Sequence, residues 1–321
     1  MDIVYKTIGK EEMENVLTLW NENIGVMFPL DKRLLKQNAF NKYYKNVLYG
    51  AYFLNKLIGM ICYKKTKDRL SIGYISFLIV DVAFQRNGIG SKLVAKAEES
   101  LQENRVRLIH LGSDPYHFFP GIPLNFKSAR TFFQRHGYIE ETRSFDLKCD
   151  LSKLNLQTMI TVKSLEIVQE DRYSIEFFQK EDFISLKRFF EKNFPGRWYE
   201  ETVELIEQTG QYKDLIILKD NELKTIIGFC RIYTKESGII GSSVYWRKLL
   251  GDSYGGLGPI GIDADYRKKG LGLTFLYHSL EILQKRNVKN TCIDWTVLID
   301  FYGTFNFLPW MTYIHTNKKI N

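Results

Sequence analysis

The same short phrase occurs twice in this 321-residue chain, 182 positions apart. One copy runs from Val80 and Asp81 through Phe84, Gln85, Arg86, Asn87, Gly88 and Ile89 to Gly90. The other runs from Ile262 and Asp263 through Tyr266, Arg267, Lys268, Lys269, Gly270 and Leu271 to Gly272. Each places an Asp just past an aliphatic strand end, then an aromatic, then Gln or Arg, and then Gly-x-Gly opening a helical pattern. Two strand-to-helix junctions of one design point to an α/β chain built from two similar halves.

Glycines two apart after a strand let consecutive backbone N–H groups point one way, because glycine tolerates positive φ and has no Cβ to hold a ligand off. The helix that follows adds its unpaired first-turn amides and the positive end of its dipole at the same spot. Such a turn suits a diphosphate, with Arg86 near the first copy and Arg267, Lys268 and Lys269 near the second as cations. A single such phrase arises by chance in roughly 0.15 of chains this long. Two copies, each after an aliphatic run and before a helical pattern, outweigh the bland reading of glycine turns that merely punctuate two junctions. A dinucleotide fingerprint is excluded, since Leu93 and Phe275 stand where its third Gly belongs. A Walker loop is excluded because neither copy has Gly-Lys-Ser/Thr.

The phrases resemble the acetyl-coenzyme A signature, Gln/Arg-x-x-Gly-x-Gly/Ala, of the Gcn5-related N-acetyltransferases. The likeness extends to a following helix, read here as Ala129 to Tyr138 and as Leu298 to Phe307. In plan the chain is similar to the tandem two-domain type represented by mycothiol synthase. The resemblance implies two tandem α/β (α+β) domains, each a mixed, mostly antiparallel sheet flanked by helices. It implies acetyl-CoA as the acyl donor. The strand ends Leu78, Ile79 and Val80, and Ile260, Gly261 and Ile262, would then hold the acyl and pantetheine end. Arg86, Asn87, Gly88, Ile89, Gly90 and Ser91, and Lys268, Lys269, Gly270, Leu271, Gly272 and Leu273, would hold the pyrophosphate. The family's usual Tyr, the acid that protonates the departing thiolate, maps to Tyr302 in the second half but to Phe133 in the first. The Gly before the closing aromatic is Gly137 in the first half and Asn306 in the second, a tolerable change because Asn also visits the left-handed region.

Composition agrees with a doubled soluble domain: 45% hydrophobic and 26% charged residues, with no run of 18 apolar positions and no leader-like apolar segment at the N-terminus. Cys62, Cys149, Cys230 and Cys292 lie far apart without metal-ligand spacing, and read as buried thiols in a reducing cytoplasm. The net charge of +8 is uneven: residues 1 to 160 hold 23 basic and 16 acidic side chains, the remainder 22 and 21. No nucleic-acid motif accompanies that excess, and an anionic ligand such as coenzyme A accounts for part of it.

Periodicity gives one element order twice, with domains expected at 1–150 and 172–321 and a pattern-poor linker at 151–171. In the first half, helices are expected at Glu11 to Asn23, Asp31 to Tyr44, Gly90 to Leu101 and Lys127 to Arg135. A hairpin is expected to turn at Asn55-Lys56, and a closing strand to run from Tyr138 to Lys148. Two aromatic loops, Gly112 to Pro123 and Gly238 to Gly256, read either as pocket walls or as packing against the other domain.

The expected chemistry is direct attack of an amine on a thioester, which needs an uncharged amine, an oxyanion donor and an acid. Tyr302 is the candidate acid and Asp294, on the strand before it, the candidate base; Asp252 and Glu236 cannot be ranked against it. In the first half His110, His117 and Asp114 occupy the corresponding strand end. The acceptor is expected to be a small-molecule or peptide amine. A non-catalytic acyl-CoA-binding sensor and a transferase for longer acyl chains stay open as alternatives.

Overall fold

The computed structural model describes residues 1–40, 46–65, 71–160, 172–210 and 212–320. They pack into two compact units, Met1–Ser144 with Met311–Asn321, and Phe145–Trp310.

In unit 1, strands β1 (Val4–Thr7), β2 (Asn46–Phe53), β3 (Lys56–Lys65) and β4 (Ile72–Val80) pair antiparallel in sequence order. β4 pairs parallel with β5 (Leu108–Leu111), and β5 is closed antiparallel by the end of β13 (Leu308–Lys319), with Asn317 opposite His110. A two-residue strand, β6 (Ile122–Pro123), also pairs with β13. In unit 2 the antiparallel run is β8 (Tyr173–Phe177), β9 (Leu215–Asp220), β10 (Thr225–Thr234) and β11 (Tyr254–Ile262). β11 pairs parallel with β12 (Asn290–Thr296), which is closed by the end of β7 (Ile139–Asp150), with Thr291 opposite Cys149. The closing strand of each unit therefore comes from the other half of the sequence. Periodicity locates such a strand but says nothing of its partner, because pairing register is a tertiary choice.

The helices are α1 (Met13–Ile24), α2 (Lys32–Ala39), α3 (Ile89–Glu103), α4 (Lys127–Arg135), α5 (Phe183–Asn193), α6 (Arg197–Thr209), α7 (Leu271–Lys285) and α8 (Ile299–Gly303). Asp31 caps α2 by accepting from Leu34 N at 2.9 Å, as an N-cap carboxylate should. The expected end of that helix at Tyr44, and the linker from residue 161 onward, lie outside the described residues. α3 buries Ile89, Leu93, Val94, Ala97 and Leu101, a helical stripe on the sheet. The β2–β3 turn sits one residue earlier than expected, on Leu54 (φ 49) and Asn55 (φ 64). Two left-handed residues match the twist of a tight hairpin, and this register keeps Leu57 in the core at the cost of leaving Leu54 exposed.

The first aromatic loop packs on its own unit. Phe118 and Phe119 lie 5.2 and 5.8 Å from the ring of Trp20, which also meets Phe77 at 5.1 Å and donates Nε1–H to Phe28 O at 2.6 Å. Trp20→Ala is expected to lower the stability of unit 1 by about 3–5 kcal/mol through the cavity it leaves. A shift in the urea midpoint measures it, and an unchanged midpoint would show that the cluster contributes little. All four cysteines are free and buried, and burial pushes the Cys62 and Cys230 thiols up to about 12.

Candidate functional site

The two glycine turns share one set of supports. In unit 1 Asp81 accepts from Ala83 N at 3.0 Å and pairs with Lys56 at 3.3 Å, while Asn23, near the end of α1, accepts from Val82 N at 3.0 Å. In unit 2 Asp263 accepts from Asp265 N at 3.0 Å and pairs with Lys192 at 2.9 Å, while Asn193, the last residue of α5, accepts from Ala264 N at 3.2 Å. Burial raises the Asp263 carboxyl, but Lys192, the Asp265 amide and Asn193 outweigh it and hold it below the usual carboxylate range. The motif's Gln or Arg ties the turn back to its strand: Gln85 Nε2 donates to Val80 O, and Arg267 Nε to Ile262 O, both at 3.1 Å. Arg267 thus tethers the turn through Nε while its side chain stays exposed.

Left-handed backbone follows at matching places, Arg86 (φ 65) and Gly88 (φ 76), and Lys268 (φ 61) and Gly270 (φ 82). Alternate residues at positive φ turn successive amides to one side, which builds the expected nest at the start of α3 and α7. A Cβ added at Gly88 would meet nothing within 4 Å, so a side chain there would project into open space over the turn. Gly90 has a different reason, since its Cβ would lie 3.3 Å from the Phe132 ring on α4. At Gly261 a Cβ would lie 2.7 Å from Phe194, so packing of the strand also demands glycine.

Both parallel pairs come apart at the same register. β4 and β5 pair as far as Ile75 and Leu111, and β11 and β12 as far as Leu257 and Ile293. Each break falls at a bulge, between Cys62 and Tyr63 opposite β4 and between Cys230 and Ile232 opposite β11. Beyond it, Leu78 to Val80 and Ile260 to Ile262 keep a strand edge that no strand among the described residues pairs on that side, able to hydrogen-bond an extended ligand.

In unit 1 that edge faces a cleft of about 570 Å³ reaching from Leu78 and Val80 to Arg86, Gly88, Ile89, Gly90 and Ser91. Among the described residues Arg86, Lys127 and Arg135 line it and no carboxylate does, which fits a ligand with several phosphate charges. His136 also borders it, with Nε2 3.0 Å from Ser91 Oγ and Nδ1 2.8 Å from Phe132 O. The carbonyl can only accept, so Nδ1 donates to it; in the neutral ring Nε2 is then the acceptor for the Ser91 hydroxyl.

In unit 2 the strand after the break carries Asp294. Burial raises its pKa first of all, opposed by a hydrogen bond from Ser242 and the charge of Arg197. Glu201 bridges Arg197 and Arg231 at 3.4 and 3.5 Å, and the Arg197 guanidinium sits 4.5 Å over the Trp295 ring. Tyr302, on α8, is 6% exposed, with its phenol pKa raised by burial and by the nearby Cys230 and Asp294.

The family model described as the acetyltransferase (GNAT) family matches residues 14–124 and 183–307, together well over half of the chain. The chain belongs to the GNAT acetyltransferases. It is similar in structure to the GCN5-related glucosamine N-acetyltransferase region of a fungal multi-domain GH3 β-N-acetylglucosaminidase, with a TM-score of 0.89 and 23% identity over 98% of this chain. This GNAT chain spans 38% of the length of that fungal chain. A tandem GNAT protein of the clavulanic acid biosynthesis pathway gives a TM-score of 0.72 at 12% identity, covering 99% of this chain and 98% of that one. A GCN5-related N-acetyltransferase from Sphaerobacter thermophilus gives 0.70 at 12% identity, covering 99% and 95%. No curated protein matches the chain.

Within the GNAT frame the two halves can be compared residue by residue. The carbonyl of Phe133 accepts from the amides of His136 and Tyr138, and the carbonyl of Tyr302 from those of Phe305 and Phe307. Phe133 and Tyr302 therefore hold one position at the same kind of helix end, followed by Gly137 (φ 83) and Asn306 (φ 57). Register likewise matches Gly112, next after Leu111, with Asp294, next after Ile293. Unit 1 thus lacks both the tyrosine and the carboxylate. Asp114, suggested by sequence, is 0% exposed and committed to an ion pair with Lys64 and a 2.9 Å hydrogen bond from Ser76. His110 stacks on Tyr74 with ring centroids 5.9 Å apart, and His117 is buried. The support given by Asn23 and Asn193 was missed by motif reading, and aligning α1 with α5 carries that signal. The two lysines carry none, since Lys56 opens β3 whereas Lys192 lies on α5.

Proposed function

We propose that the protein is an acetyl-CoA-dependent N-acetyltransferase that moves an acetyl group to a primary amine of a small molecule or peptide, with unit 2 as the transferring half. The observation that carries this reading is the pair Asp294 and Tyr302 in unit 2 against Gly112 and Phe133 in unit 1. When bound, acetyl-CoA supplies a thioester, an acyl donor that an uncharged amine attacks directly. The amides of Lys268 to Leu273 would hold the diphosphate, and the free strand edge at Ile260 to Ile262 the pantetheine. Asp294 takes a proton from the incoming amine, directly or through a water, and its raised pKa brings it nearer the pH at which it must work. Tyr302 is a protonated phenol at neutral pH, its pKa held above the ordinary value by burial, and it delivers its proton from Oη to the departing sulfur.

The surroundings of Asp294 favour a polar acceptor. Arg197, Glu201, Arg231, Tyr233 and Ser242 gather charge and hydrogen-bonding groups around it, and the buried Tyr233 Oη has no hydrogen-bond partner among the described residues. Such surroundings suit a small polar amine, and the likeness to a fungal glucosamine N-acetyltransferase region makes glucosamine the first acceptor to offer. Residues 1–150 and 172–321 are read as the two copies of the duplicated sequence, joined by 151–171. No helix among the described residues is long and apolar enough to cross a membrane, and four buried free thiols accord with a reducing cytoplasm.

A second reading applies to unit 1 alone: it binds coenzyme A through Arg86 to Ser91 without transferring, as an accessory or sensing half. Calorimetric titration of acetyl-CoA tests both. Wild type is expected to show two sites, Gly88→Glu/Gly90→Glu one, and Gly270→Glu/Gly272→Glu one, with amine acetylation lost only in the last. Glutamate in either nest opposes a diphosphate by bulk and by charge. No binding to the wild type would sink the acetyltransferase reading.

A further inference from the structure

Unit 1 holds a second cavity of about 310 Å³ beside the phosphate cleft, and the two share Leu78, Val80 and Phe133 among their walls. We infer that this chamber binds the hydrocarbon of an acyl-CoA longer than acetyl, held in unit 1 as an intact thioester and not transferred. The inference rests on the reading of Arg86 to Ser91 as a coenzyme A nest.

Four observations carry it. The chamber is walled by apolar side chains, among them Leu78, Leu111, Phe119, Ile122, Phe126 and Phe133. Among the described residues no titratable side chain lines it, so none of them can take a proton there from an amine or from water. Its polar side chains are largely engaged: Asn23 Oδ1 accepts from Val82 N, Gln85 Nε2 donates to Val80 O, and Ser76 Oγ donates to Asp114 Oδ2. An amine acceptor would find no proton acceptor and few free hydrogen-bonding groups, whereas an alkyl chain needs neither. Lastly, the chamber adjoins the phosphate cleft at the strand edge where β4 leaves β5, the two sharing Leu78, Val80, Ala129 and Phe133 as walls, which places an acyl chain in it next to a coenzyme in the nest.

The replacement of Tyr by Phe133 and of Asp by Gly112 then has one explanation. Phe133 stands on the wall the two cavities share and Gly112 on the chamber wall, and neither carries the polar atoms of its counterpart Tyr302 or Asp294, which makes room for a chain and leaves out the groups that would discharge it.

The test is a chain-length series of CoA, acetyl-CoA, butanoyl-CoA and hexanoyl-CoA titrated into the full chain carrying Gly270→Glu/Gly272→Glu. Each added methylene is expected to tighten binding about fourfold until the chamber is filled. Hexanoyl-CoA should bind at least about tenfold tighter than acetyl-CoA, and mass spectrometry should recover it unhydrolysed after prolonged incubation with amines. Leu111→Phe, which narrows the chamber, should remove the chain-length preference while CoA itself binds as before. Should that variant fail to fold, the series in the otherwise unaltered unit 1 decides alone. Equal affinity across the series would overturn the chamber assignment and leave the nest standing. Failure of CoA and every thioester to bind would overturn the nest reading beneath it. Turnover of bound hexanoyl-CoA in this variant would overturn the claim that unit 1 does not transfer.

Discussion

Tyr302→Phe is expected to lower kcat for amine acetylation by about a hundredfold or more, with acetyl-CoA affinity unchanged. The substitution removes one hydroxyl and keeps the ring, which packs at 5.0 Å on Phe301 and 6.3 Å on Phe307. Unit 1 shows that the site accommodates the change, since Phe133 sits at the same helix end and meets Tyr138 at 5.3 Å in the same edge-on way. A loss of rate in a protein with unchanged melting behaviour therefore reports a missing proton donor and not a damaged core. The reverse change, Phe133→Tyr, should produce no second activity, because Gly112 offers no carboxylate at the position of Asp294. Steady-state rates with a good acceptor measure both, and a Tyr302→Phe enzyme as fast as wild type would remove that residue from the mechanism.

The nests were legible in sequence because their geometry is imposed locally. Gly88 and Gly270 adopt positive φ at the helix start, and a hexapeptide pattern suffices to announce it. Tyr302 was legible for the same reason, through its fixed distance from the closing aromatic. What stayed hidden depends on partners remote in sequence. The origin of each closing strand is one case: β13 completes the sheet of unit 1 and β7 that of unit 2 through pairs such as Lys318 with Ile109 and Cys292 with Lys148. The shielding of Asp114 by Lys64 and Ser76 is another, since a strand-end carboxylate looks alike in sequence whether it faces a substrate or a buried ammonium. The two cavities of unit 1 are the third. An apolar wall assembled from β4, β5, the aromatic loop and α4 has no signature in any one of those segments.

Asp294→Asn is expected to stabilise the protein at neutral pH while lowering kcat/KM by about a hundredfold. The two effects share one cause. Burial is the largest influence on Asp294 and raises its pKa, so the folded state disfavours its charged form. A carboxyl whose pKa rises on folding favours the fold below its unfolded pKa, and that contribution is lost as pH climbs through the folded value. At neutral pH the wild type therefore carries the cost of a half-buried carboxylate, which a neutral amide still able to accept from Ser242 would avoid. The gain in Tm should be a few degrees at pH 7 to 8 and should shrink as acid protonates the wild-type carboxyl. The rate should show the same titration from the other side. Wild-type kcat/KM falls as pH drops through the raised pKa, a limb lying above the ordinary carboxylate range, and the variant should lack that limb. A variant that is slower yet keeps the acid limb would place the base elsewhere, with Asp252 and Glu236 of the neighbouring loop next to be tested. A variant that is faster to unfold and unchanged in rate would make Asp294 a structural group, held by Ser242 and Arg197 for the sake of the strand break alone.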